Sequence, residues 1–411
     1  MAYPWRQSDW SGAAPTAAPA RAWTLAWIFA LVFVAILFIQ DIATTRFTPW
    51  PSIRGGMAIW GRDFANMYTA GNLLLEGRLD LLYDLKGYGA YQDALFDGGL
   101  RRHNYSYPPP TLLYIWVLAL LPYWLALVSW LLLTGAAFAA AARPYLRDAG
   151  LPAWLALVAP ATLLNVWAGH YGLLIGALWL GAFHFLPRRP VLAGMLIGLM
   201  LVKPHLAILA PLILARRGEW RAFAAAGATA AALVAVSALA FGPELWRTWL
   251  GVTVGVQAGM VDDVGTHFLT MMPTLVPAIS ALGFPGAPAW TVQILAGGAA
   301  AAALLLRMPA ESRDAGLAGG VATFLVVPYA FNYDMTVPGL AALLILARLS
   351  REPERRIPFG LVLIFLLPLI VQTLGLLHLP VPALLLAALL ALQLRQGRAE
   401  PALKPGTAAA C

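Results

Sequence analysis

From residue 108 to residue 395 the chain is apolar almost throughout, and its interruptions are short loops rich in arginine. That pattern leaves little choice of fold. In hydrocarbon each backbone N–H and C=O must be satisfied within the protein, which favours helices. Of the 411 residues, 61% are hydrophobic and 11% are charged, against about 25% charged in a soluble domain. At about 20 residues per crossing, the apolar content suffices for about 12 helical spans. An ordinary soluble enzyme, a DNA-binding protein and a disordered chain are excluded. The net charge of +8 then reads as an arginine surplus that holds loops in the cytoplasm, with no nucleic-acid partner. The single cysteine, Cys411, rules out disulfides within the chain and thiol catalysis in the core.

The expected fold class is all-α, a polytopic transmembrane helical protein. Residues 1–22 read as a cytoplasmic tail, 23–395 as one membrane domain and 396–411 as a second cytoplasmic tail. The first span is Trp23 to Gln40, with Arg6 and Arg21 before it and no small-residue cleavage site after it. It therefore reads as an anchor and not as a signal peptide. The segment 41–107 follows, the longest polar stretch, with 14 of the chain's 46 charged residues.

Basic loops then recur at Arg143/Arg147, Arg188/Arg189, Arg216/Arg217/Arg221, Arg307/Arg313, Arg348/Arg351/Arg355/Arg356 and Arg395/Arg398/Lys404. The positive-inside rule puts them all in the cytoplasm. The turning points between them fall at Gly169–Tyr171, Lys203–His205, Gly242–His267, Asn332–Asp334 and around His378, on the side of the long first loop. Two stretches do not fit whole crossings. Pro108 to Ala142 is 35 residues, about 52 Å as helix. Pro190 to Ala215 carries Lys203-Pro204 in its middle. A proline breaks a helix, and in hydrocarbon such a break survives only where protein or water covers it. Broken or re-entrant helices lining a cavity are expected in both places.

In the first loop, Phe64, Met67, Tyr68, Gly71, Leu74 and Leu75 recur at helical spacing. This predicts an amphipathic helix from Asp63, lying flat at the interface and stopped by Gly77. A second short helix is expected around Gly89 to Phe96, and Tyr105-Ser106-Tyr107-Pro108-Pro109-Pro110 makes a stiff entry into the next element.

These residues resemble a known group. It combines an Asp just after the first span (Asp63), a Gly77-Arg-Leu-Asp-Leu-Leu-Tyr-Asp84 stretch and Tyr107-Pro-Pro. It also has a Gly-His/Gln turn (Gly169-His170) and an Ala193-Gly194-x-x-x-Gly198…Lys203-Pro204 pair. Together they are similar to the GT-C superfamily of polyprenyl-phosphate-sugar-dependent glycosyltransferases. Within it the nearest likeness is glycosyltransferase family 87, the DUF2029 group with polyprenyl-phosphomannose-dependent α-1,2-mannosyltransferases. The likeness covers about residues 20 to 220, with an echo at Asn332–Asp334; His170 stands where the group commonly has Gln.

The resemblance implies a hexosyltransferase that moves a hexose, mannose in the group named, from polyprenyl phosphate to a lipid or glycan acceptor on the extracytoplasmic face. No cofactor is implied, since the lipid-linked sugar is a substrate. It puts the general base on Asp63; a helix cap is the bland alternative. The leaving phosphate needs positive charge in a low-dielectric site. Lys203 fits, because an ionisable side chain between apolar helices is costly; snorkelling to the headgroups is the alternative. His205 and Arg62 are the further phosphate candidates; Arg62 pairing with Asp63 or standing in solvent, and an interfacial histidine for His205 and His170, are the other readings. His170, Tyr107 and Asp334 are the substrate-binding candidates, with Asp334 as a cap or as a holder of Lys203 the other readings. Asp262, Asp263 and His267 lie too loosely spaced for a metal site, and none is expected. Trp246, Trp249 and Trp290 suit a sugar, but an interfacial belt is the default for tryptophan.

No phosphate-cradling G-x-x-x-x-G-K-[ST] is present, and no nucleotide-binding unit fits the short loops. The alanine- and arginine-rich composition points to a GC-rich bacterial genome and an inner-membrane location. The rival reading is a transporter or flippase of a polar lipid. A transporter shows two related halves, whereas the long loop and Lys203-Pro204 have no counterpart after residue 220.

Overall fold

The protein was analysed as a computed structural model, which describes residues 24, 27–37, 60–98, 100, 103–262, 267–351 and 358–396. The tail 1–22, loop residues 41–59 and the C-terminal residues 397–411 lie outside the described residues. Among the described residues there are helices, short 3-10 turns and connections, and no strand.

The first helix is α1, Trp27–Leu37. The loop that follows carries α2 (Arg62–Leu75) and α3 (Leu85–Leu95), and the chain continues in α4 (Leu112–Ala119) and α5 (Tyr123–Asp148). Next come α6 (Leu155–Val158), α7 (Pro160–Ala168), α8 (Gly172–Phe185), α9 (Pro190–Leu199) and α10 (Ala210–Arg216). Then follow α11 (Trp220–Phe241), α12 (Pro243–Asp262), α13 (Leu275–Ala281), α14 (Ala287–Leu306) and α15 (Ser312–Val326). The last are α16 (Thr336–Leu349), α17 (Phe359–Leu376) and α18 (Val381–Gln396).

Among the described residues, four helices, α5, α11, α14 and α17, are long and apolar enough to cross a membrane. Several other apolar helices have 10–17 residues. The centre is formed by α8, α15 and α16, whose side chains are nearly all buried. The periphery is different. Leu239 on α11 and Ile294, Leu295 and Leu306 on α14 are exposed. Apolar side chains standing outward in such numbers suit a lipid surround and not water.

Both anticipated breaks are present. α4 ends at Ala119, and Pro122 opens α5. After α9 the chain tightens into a 3-10 turn, Met200–Val202. Lys203 then leaves helical geometry (φ −136°, ψ 73°), and a second 3-10 turn begins at Pro204. Proline's missing N–H and the clash of its ring with the preceding turn account for the interruption.

Four of the six basic loops meet at one end of the bundle. Arg313 pairs with Asp148 at 2.7 Å, and Arg351 donates to Ala149 O at 2.6 Å. Arg217 donates to Pro309 O and Ala310 O. The opposite end of α5 begins at Tyr123, whose hydroxyl donates to Gly61 O at 3.1 Å, two residues from Asp63. The 26 residues of α5 separate these ends by about 39 Å. These arginine loops and Asp63 are therefore at opposite ends of one long helix.

One expectation is narrowed. α2 does not present an open polar face. Nine of its 14 residues are buried, because Asn66 and Thr69 on its polar side are enclosed as well as Phe64 and Met67. α3 starts four residues earlier than expected, at Leu85, where the Asp84 side chain accepts the N–H of Lys86 and caps it.

Gly61 and Gly169 bring the start of α2 against the turn between α7 and α8. Both are left-handed, with φ 67° and 70°, a conformation that glycine adopts without penalty. Gly61 N donates to Trp167 O at 3.3 Å. A Cβ on Gly169 would stand 2.6 Å from Phe64 Cβ and 3.3 Å from Gly61 Cα. Gly169→Ala is expected to destabilise the protein by about 1–3 kcal/mol through overpacking, seen as a lower midpoint in thermal melts of the detergent-purified protein. An unchanged midpoint would contradict this packing.

Candidate active site

Seven separate stretches of chain meet around one cavity of about 440 Å³. They are the start of α2, the extended segment 103–108, the turn before α8, the break after α9, α12, Trp290 on α14, and the segment 328–333. Within range of ordinary small-molecule sites, the cavity has Asp63, Tyr107, His170, Lys203 and His205 in its wall. The candidates that span 143 residues of sequence thus share one space.

Lys203 does not snorkel. Its Nζ donates to both carboxylate oxygens of Asp334, at 2.7 and 2.9 Å. The exposures of the two residues are 6% and 4%, so the pair sits away from water. Asp334 also accepts the N–H of Phe331 at 3.3 Å, which closes the 3-10 turn Asn332–Asp334. It therefore both caps that turn and holds Lys203. An ammonium has three donors; two are committed to Asp334, and Nζ also lies 5.4 Å from the centroid of the Tyr333 ring.

His170 lies beside this pair, its Nδ1 3.7 Å from Asp334 Oδ1, with its ring 3.9 Å from that of Tyr333, centroid to centroid. Its Nε2 and the Tyr107 hydroxyl share a hydrogen bond of 3.0 Å. Burial, then the nearby Asp63 and Asp334 carboxylates, push the Tyr107 phenol well above its ordinary pKa, so it stays protonated. His205 packs its ring on Tyr329 at 4.7 Å.

Asp63 is the second residue of α2, and no side chain caps that helix. The cap reading is therefore not what its carboxylate does. Oδ1 lies 3.9 Å from Arg62 Nε and 3.8 Å from His103 Nε2. Oδ2 is buried without a hydrogen-bond partner in the protein. A carboxylate oxygen buried this way is costly; Asp63 itself lines the cavity, where a carboxylate can act as a base.

Two expectations shift. Arg62 does not line the cavity. Its guanidinium lies over the Trp167 ring at 4.7 Å, and Nη2 reaches Met271 Sδ at 3.9 Å. Asp334 faces Lys203 and is not part of the wall. Trp249 and Trp290, by contrast, do belong to the wall; Trp249 donates to Ser106 O at 3.1 Å, and Trp246 stacks edge-on against it. The sequence offered no way to separate these from belt tryptophans. His103, Asn66, Asn104 and Gln257 also line the cavity and were not singled out. Three of them lie in the polar first loop, where one more polar residue has no contrast. Asp263 and the side chains of Asp262 and His267 lie outside the described residues.

An apolar helical body with an acidic side chain and a cation facing one enclosed space defines a membrane protein built for chemistry on a polar group. The model of glycosyltransferase family 87 matches residues 105–328, more than half of the chain, and the protein belongs to that family. It is a membrane glycosyltransferase, and its substrates are a sugar donor and an acceptor. No curated protein and no solved structure matches the chain.

Proposed function

We propose that the protein transfers a hexose, mannose being the one the resemblance favours, from a polyprenyl-phosphate donor to a lipid or glycan acceptor. The reading extends to an active site on the extracytoplasmic face of a bacterial inner membrane. It takes residues 23–395 as one membrane domain of about 12 spans, with the shorter apolar helices pairing into crossings.

The observation that carries this reading is the Asp63 carboxylate, one oxygen of which has no partner in the protein, in the wall of the same cavity as Lys203. In the proposed step the acceptor oxygen attacks the anomeric carbon as Asp63 takes its proton. The bond from that carbon to the phosphate oxygen breaks on the opposite face. The leaving polyprenyl phosphate gathers charge, which the Lys203 ammonium and the His205 ring stabilise. Tyr107 and His170 hydrogen-bond the sugar, and Asp334 keeps Lys203 in place. Arg62 acts on Asp63 and not on the phosphate. The grouping of four arginine loops about 39 Å from Asp63 supports the sidedness.

One displacement inverts the anomeric centre. Purified protein supplied with a polyprenyl-phosphate hexose of defined configuration is expected to give a product of the opposite configuration, read by NMR of the anomeric proton. Retention would sink the single-displacement mechanism. A cysteine placed at the exposed Lys86, with Cys411 replaced by serine, is expected to react with an impermeant thiol reagent from the extracytoplasmic side; labelling from the cytoplasm alone would overturn the orientation.

A further inference from the structure

The two oxygens of the Asp63 carboxylate have different surroundings, and the difference is built by the first loop. Oδ2 has no partner, while His103 Nε2 stands 3.8 Å from Oδ1. That is an ion-pair distance; about 1 Å of side-chain movement would bring it to hydrogen-bond length. His103 is also part of the cavity wall.

His103 does not reach this place by its own side chain. Its main-chain N–H donates to Gln92 Oε1 at 3.1 Å. Gln92 Nε2 donates to Asn66 Oδ1 at 3.1 Å, and Tyr88 Oη donates to the same oxygen at 2.9 Å. Asn66 Nδ2 donates in turn to Asn104 O at 3.3 Å. Gln92, on α3, is wholly buried and Asn66, on α2, is nearly so. Buried amides that satisfy one another in this way fix geometry strongly. The clip ties residues 103 and 104 to α2, one turn from Asp63, so α3 serves as the brace for the catalytic end of α2.

We infer that His103 is the positioning residue for Asp63. It holds Oδ1 and so fixes the carboxylate at the cavity wall, where the acceptor hydroxyl binds. The inference rests on Asp63 being the base. It gives α3 and the Gln92–Asn66 clip a purpose that neither has as packing alone. A base displaced by 1 Å loses about 100-fold in rate, so a residue that fixes the carboxylate has leverage on turnover.

The clip uses the main chain of residue 103, so His103→Ala leaves it intact. For His103→Ala, kcat is expected to fall about 100-fold, with KM and the thermal midpoint close to wild type. His103→Gln keeps an N–H at a similar reach and is expected to recover most of the rate. Unchanged kcat in His103→Ala overturns the inference. So does a loss that appears in KM, or one that His103→Gln does not repair. Asp63→Asn is assayed alongside. If it is inactive while His103→Ala is normal, only the positioning role fails; if it is active, the base assignment itself fails.

Discussion

Asp63→Asn protein is expected to turn over its substrates about 100- to 10,000-fold more slowly than wild type, the span that a positioned general base contributes. The substitution is close to isosteric, and it removes the charge and the proton-accepting oxygen together. It should leave the fold intact, for a structural reason. Oδ2 accepts no hydrogen bond within the protein, and the carboxylate caps no helix. The Oδ1 contacts to Arg62 and His103 are near 4 Å, and the asparagine amide keeps an oxygen for them. A thermal midpoint within about 2–4 °C of wild type, with kcat lost and KM retained, identifies a group acting in the transition state. A parallel collapse of midpoint and activity would instead mean that Asp63 holds α2 in place.

The second large effect concerns Lys203 and Asp334. Removing one member of a buried pair leaves an uncompensated charge and costs about 3–5 kcal/mol. Lys203→Met is therefore expected to lower the thermal midpoint of the purified protein by several degrees. Asp334→Asn should do the same and also release the cap on Asn332–Asp334. The informative variant is the double substitution Lys203→Met/Asp334→Leu. Apolar replacement of a whole buried pair is often neutral or stabilising, so stability should largely return. Transfer should not return, because the cavity has then lost its ammonium. Recovery of activity with stability would show that the pair is structural only.

Scarcity of charge made part of this site legible before any fold was known. Lys203 and Asp334 stand out because their neighbours are apolar, and ionised groups are seldom placed there without a use. The helix break was legible too, since Lys203-Pro204 interrupts an otherwise unbroken apolar run. The same background hid other parts. In the polar first loop, His103 and Asn66 are two polar residues among many. Only the packing of α3 against α2, through Gln92 and Tyr88, brings out their role. Arg62 adjoins Asp63 in sequence, yet helical geometry sends its guanidinium over Trp167. Trp249 could not be told from an interfacial tryptophan until α12 was seen beside Ser106. Nor do the helix lengths map one-to-one onto crossings. α8 and α16 have 14 residues each, shorter than the 20 that hydrocarbon thickness asks of a single helix, because breaks at Gly169 and Asn332 divide the apolar runs around the cavity.

The donor tests the account most directly. Purified wild-type protein would be incubated with an acceptor extract and a radiolabelled hexose, supplied in one arm on polyprenyl phosphate and in the other on a nucleoside diphosphate. Label is predicted to move to acceptor from the lipid-linked donor alone, and to stay behind in Asp63→Asn. Transfer from the nucleotide sugar, with none from the polyprenyl phosphate, would contradict the account.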